Sequence, residues 1–98
     1  MAEIVETEAF ANWLKALRDP LGRRHVLRRL ARIASTDNFG DHASVGGGVS
    51  ELRIDVGPGY RVYYTIREGR VVWLLGGGDK DSQERDIRRA KEMAGELE

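Results

Sequence analysis

The apolar positions change period along the chain. Ile4 and Val5 make a short strand-like pair before Glu6. Phe10, Trp13, Leu14 and Leu17 then recur at i, i+3, i+4 and i+7, the stripe of an amphipathic helix. Asp19-Pro20 restarts the chain, because Asp is a good N-cap and Pro is preformed for a first helical turn. A second helix is predicted to about Ala34, with Leu21, Leu27, Leu30, Ala31 and Ala34 turned inward and its arginines mostly outward. Two helices joined so closely read as an αα-hairpin. The stretch STDNFGDHASVGGG, residues 35–48, has no period and is rich in turn formers, so it predicts a long loop.

From Val49 the period becomes two. Strands are predicted over residues 49–55, 60–67 and 71–75, separated by Gly57-Pro58-Gly59 and by Glu68-Gly69. VVWLL (71–75) is apolar on both phases and predicts a central strand. Asp81 and Glu84 are spaced as an N-cap and its partner. A last helix follows, with Ile87, Ala90, Met93, Ala94 and Leu97 on one stripe. The order is β-α-α-β-β-β-α, an α+β domain spanning residues 1–98. Its mostly antiparallel sheet is expected to be covered by helices on one face. The phase carrying Leu52, Ile54, Tyr60, Val62, Tyr64 and Ile66 should meet those helices, and the other phase should present Arg53, Arg61 and Tyr63, with Lys80 just beyond the last strand.

Composition narrows the chemistry. The 98 residues suit one domain with a modest core. There is no cysteine, which excludes disulfides, thiolate metal sites and a cysteine nucleophile. No apolar run approaches the roughly 20 residues of a membrane span, and the acidic start MAEIVETEAF lacks a signal pattern, so a soluble cytoplasmic protein is expected. Sixteen basic residues balance sixteen acidic ones, but the charge is uneven. Residues 15–32 carry Lys15, Arg18, Arg23, Arg24, Arg28, Arg29 and Arg32 against Asp19 alone, either a solvated helix face or a local field for nucleic acid.

Rigid arginines on a sheet face suit phosphate, since the guanidinium fork matches phosphate oxygens bidentately. RNA fits better than DNA, because its own 2′-hydroxyl can be the nucleophile. Tyr63 could then stack on a base, and His42 in the loop could swing toward the face. His25 reads as a helix-surface residue. Too few ligand-type residues cluster to suggest a metal, and no cofactor is expected. The two Gly-Gly-Gly runs match neither a P-loop nor a dinucleotide fingerprint and read as turns. Tyr60, Tyr64 and Trp13 read as core, and Asp79 as a partner of Lys80. For Arg53 a cross-strand ion pair with Glu51 or Asp55 is the competing structural role.

The ordered pair GVSELRIDVGPGYRVYY (48–64) and LLGGGDKDSQERDI (74–87) resembles the RelE/ParE superfamily of toxins, and more narrowly its phage-derived, HigB-like addiction module killer proteins. The resemblance implies two helices, an antiparallel sheet and a C-terminal helix. It implies a ribosome-dependent mRNA endonuclease, neutralised by a paired helix-turn-helix antitoxin, with the ribosome and mRNA as targets. Carried onto this chain, the arginine of GYR is Arg61, that of ELR is Arg53, and the basic residue after the last strand is Lys80. Arg23 and Arg24 belong to the helix face that would meet ribosomal RNA. The resemblance leaves the proton-transfer group open, because residues 80–98 hold neither tyrosine nor histidine and Ala43 stands where a lysine is expected. A ParE-like gyrase poison and a non-catalytic antitoxin-binding homologue share the fold and remain alternatives.

Overall fold

The computed structural model describes residues 2–97. The elements run β1 (Glu3–Glu6), α1 (Glu8–Ala16), α2 (Pro20–Thr36), β2 (His42–Gly46), β3 (Val49–Ile54), β4 (Tyr60–Arg67), β5 (Val71–Gly78) and α3 (Gln83–Glu96). The strands form one sheet in the order β1-β5-β4-β3-β2. β1 is parallel to β5, and every other pairing is antiparallel. The α+β class and the interior place of β5 hold, and the element order is the expected one with a strand, β2, added before β3.

Two local signals act as read, and the structure adds a third at Thr7. Asp19 caps α2, accepting from the Gly22 amide at 3.0 Å, with Pro20 in the first turn. Thr7 caps α1 by accepting from the Phe10 amide at 3.2 Å, and its hydroxyl donates to the Leu74 carbonyl at 2.7 Å. That cap ties the start of α1 to β5 and drops Phe10, which is fully buried, into the core. Burying a side chain of that size contributes about 2–3 kcal/mol.

Two apolar clusters sandwich the sheet. Phe10, Val26, Leu30 and Ile33 of the helical hairpin pack on Leu52, Ile54, Val62, Tyr64 and Leu74. On the opposite phase Val49, Tyr63 and Leu75 pack against Ala90 and Ala94 of α3. The helices therefore cover both faces, where the sequence predicted one. The reason lies in β4, whose residues Tyr60 to Thr65 are all buried. A strand with no solvated phase needs a layer on each side. The two alanines of α3 let that helix approach closely enough to supply the second layer.

Three further expectations are corrected. The long loop contains β2, an edge strand whose inward positions are only Ala43 and Val45, too small to register as an apolar alternation. Gly46, Gly47 and Gly48 all take positive φ to turn it into β3. In α2 the inward positions are Gly22, Val26, Leu30 and Ile33, while Leu21 and Leu27 stay about half exposed at 51% and 46%. The cap of α3 falls at Ser82 rather than Asp81.

Candidate functional site

β3 and β4 put Arg53 and Arg61 directly opposite one another in the ladder, on the phase that faces α3. Arg53 lies at the rim with 41% of its side chain exposed, whereas the Arg61 side chain is 7% exposed. Between them sits Glu51, which is 2% exposed. Its Oε2 accepts from Arg53 Nε at 2.9 Å and lies 3.8 Å from Arg61 Nε. Its Oε1 accepts from the amide Nε2 of Gln83, the first residue of α3, at 2.9 Å. The hydrogen bond from Arg53 to Glu51 raises the guanidinium above its ordinary range, so Arg53 is held firmly cationic. Arg61 Nη1 donates to the Tyr60 carbonyl at 3.2 Å, while its Nε is buried with no hydrogen-bond partner.

Lys80 is exposed, and its aliphatic stem runs over Gly59, two residues before Arg61. A Cβ at Gly59 would come 3.1 Å from Lys80 Cγ, and Gly59 also takes φ +81°, so a glycine there lets the lysine lie close. Asp79 is bonded into the turn that follows it. Its Oδ1 accepts from the amides of Asp81 and Ser82 at 2.9 and 3.2 Å, shaping the turn into α3. The three predicted cations thus gather at the end of the sheet where β3 finishes, β4 starts and α3 begins.

The other candidates fall elsewhere. Tyr63 is wholly buried beneath α3, so its ring offers no face to a base. Its hydroxyl is buried without a partner, and burial raises its pKa. His42 pairs with Leu52, which places it on the opposite phase from Arg53. There its Nδ1 is 2.7 Å from the Gly40 carbonyl oxygen and its ring lies against Phe39. Arg23 is spent on structure, donating from Nη2 to the carbonyls of Lys15 and Leu17 at 3.2 and 2.9 Å at the end of α1. Arg24 is exposed on α2, as are Arg28 and Arg32. Arg29 stitches the 37–41 segment to β3, donating to the carbonyls of Arg53, Phe39 and Asp41 at 2.6, 2.8 and 2.9 Å. Desolvation lowers its pKa.

Glu51 and Gln83 are the residues that the sequence did not assign to the site. Glu51 was legible only as an ion-pair partner for Arg53. Its burial beside Arg61 depends on α3 closing that face. Among the described residues no cluster of three or more metal-ligating side chains occurs, and no helix is long and apolar enough to cross a membrane.

This arrangement is two opposed guanidinium groups sharing one internal carboxylate, with the stem of Lys80 over Gly59, and its accessible member, Arg53, can take up an anion. Residues 12–95 match the family described as phage-derived protein Gp49-like (DUF891), and the chain belongs to that family. It is 44% identical over 95 residues to a protein of Haemophilus influenzae (strain ATCC 51907 / DSM 11121 / KW20 / Rd) described as uncharacterized, covering 97% of this chain and 95% of the relative. Its fold is that of the Escherichia coli toxin RelE. A double-mutant form of RelE in the free state superposes with a TM-score of 0.75 at 19% identity, over 95% of this chain and 98% of that one. The RelE/ParE resemblance of the sequence is borne out by family and fold.

Proposed function

We propose that this protein is the toxin of a type II toxin–antitoxin pair and a metal-independent endoribonuclease that cuts mRNA on the ribosome. The observation that carries the reading is the gathering of Arg53, Arg61 and Lys80 at one end of the sheet, with Arg53 and Lys80 accessible. Arg53 and Lys80 contact the scissile phosphate. Arg61 lies below them and adds to the positive field. In the reaction the 2′-oxygen gives its proton to water and bonds to phosphorus, and the bond from phosphorus to the 5′-oxygen breaks as that oxygen takes a proton from water. The products are a 2′,3′-cyclic phosphate and a 5′-hydroxyl. Preorganised cations stabilise the charge that builds on the phosphoryl oxygens, commonly the largest catalytic term. The exposed cations of α2, Arg24 among them, meet ribosomal RNA. A cognate helix-turn-helix antitoxin neutralises the protein, and the site of action is the cytoplasm, where ribosomes are.

The test is cleavage mapping on translating ribosomes, with the wild type and with Arg53→Ala and Lys80→Ala. New 5′ ends that vanish in the variants support the reading, and intact mRNA under growth arrest contradicts it. A second reading draws on one specific observation, the burial of Arg61 in its ion pair with Glu51. A cation so enclosed also suits a ParE-like gyrase poison or an antitoxin-binding homologue that cuts nothing. Growth arrest with DNA-damage signalling selects the former, and the absence of any toxicity selects the latter.

A further inference from the structure

We infer that Glu51 is a positioning residue, which fixes the aim of Arg53 and Arg61 and holds the net charge of that three-residue set at one. The consequence for catalysis rests on the nuclease reading above; the positioning itself does not. Two arginines directly opposed across a ladder repel one another, and on an open surface they would splay. Here a buried carboxylate lies between them. Both of its guanidinium contacts go to Nε, the inner nitrogen of each fork, at 2.9 and 3.8 Å. The terminal nitrogens, which grip a phosphate bidentately, are not used by Glu51. Arg53 Nη1 lies 3.9 Å from the exposed Asp41. An acid placed at the outer edge would compete with phosphate, whereas an acid at the inner edge orients both guanidinium groups and leaves the outer edge of the accessible one, Arg53, for the ligand.

The carboxylate is itself held. Gln83 donates to Oε1 at 2.9 Å, so the first turn of α3 locks the Glu51 rotamer from the other side. Gln83 is neutral, so the set of Arg53, Arg61 and Glu51 keeps one positive charge. A lysine or arginine at position 83 would leave the carboxylate over-matched, and an acid would push it away. Arg61 Nε, buried and without a hydrogen bond, has Glu51 as its nearest compensating charge.

The experiment uses the full chain with Glu51→Gln, Glu51→Asp and Gln83→Ala. The first readout is the side-chain Nε–Hε signal of Arg53 by NMR, which needs no substrate. In the wild type it is resolved and slow to exchange. In Glu51→Gln it exchanges at least about tenfold faster, and Glu51→Asp recovers part of the protection. The second readout is cleavage on programmed ribosomes. Glu51→Gln lowers the turnover rate about tenfold or more with little change in half-saturation, because misaimed cations fail the transition state more than the encounter. Gln83→Ala gives an intermediate loss of both signals and stays folded. An unchanged Arg53 signal in Glu51→Gln overturns the proposal. So does full turnover with Arg53 released. Should Glu51→Gln not fold, wild-type protection and turnover in Gln83→Ala overturn it instead. If the wild type cleaves nothing, the nuclease reading falls, and the NMR readout still decides whether Glu51 positions the arginines.

Discussion

Arg53 and Arg61 face each other across β3 and β4, yet one side chain is 41% exposed and the other 7%. The asymmetry comes from α3, whose first residue, Gln83, bonds to the carboxylate they share. Arg61 is therefore part of the fold as well as of the site. Removing its counter-ion and removing the arginine itself should differ. Glu51→Ala strands a buried charge and should cost about 3–5 kcal/mol, whereas Arg61→Met leaves Glu51 still paired with Arg53 and Gln83 and should cost less than about 2 kcal/mol. Urea unfolding of the two variants measures this, and equal losses would contradict the ion-pair account.

Tyr63 makes the opposite case. Its hydroxyl is buried with no partner, so the fold has lost that group's bonds to water without replacing them. Tyr63→Phe should stabilise the protein by about 1 kcal/mol. A loss of that size in chemical denaturation would mean that the hydroxyl has a partner.

Much of this architecture was legible in the sequence because local and global signals agree. The Phe10–Leu17 stripe, the Asp19-Pro20 start and the two-phase apolar run at 71–75 each name one structure only. The side on which α3 packs was not legible. Its Ile87/Ala90/Ala94 stripe fits either face of a sheet, and the deciding residue, Tyr63, reads equally as an exposed aromatic or as a second buried layer. β2 was hidden for a related reason, since an edge strand with Ala43 and Val45 as its inward pair buries too little to leave a pattern. At the site, the cations could be read but not their depth, because depth depends on that same placement of α3.

The glycines of β5 test how tightly the two helical layers grip the sheet. A Cβ at Gly77 would run into the Trp13 ring, while a Cβ at Gly76 would meet nothing within 4 Å. Gly77→Ala should destabilise by about 1–3 kcal/mol through overpacking, and Gly76→Ala should be close to neutral. Thermal unfolding of both variants checks the contrast.

Asp19 gives a pH dependence with a definite sign. The Gly22 amide, then the Tyr60 hydroxyl at 2.8 Å, hold its carboxyl below the ordinary value of 3.8. A depressed folded pKa adds stability above the unfolded value and loses it as pH falls through the folded one. The melting midpoint of Asp19→Asn should thus trail the wild type at pH 7, and the gap should close below about pH 4. Tyr60, pushed from 10.0 up to about 12 by burial and by Asp19, acts in the other direction. Its contribution is intact below pH 10 and is lost as pH rises through the folded value.

Salt dependence separates the two accessible cations from Arg23, which is committed to capping α1. Arg53→Ala and Lys80→Ala should each flatten the slope of RNA affinity against salt by about one phosphate contact, and Arg23→Ala should leave it unchanged. Filter binding of a short RNA at several salt concentrations checks this.

The most direct measurement is 5′-end sequencing of cellular mRNA after brief induction of the wild type and of the folded Arg53→Ala/Lys80→Ala double variant. Discrete new 5′-hydroxyl ends within translated frames, absent from the variant, are the predicted result. Growth arrest by the wild type with mRNA ends indistinguishable from those of the variant would contradict the account.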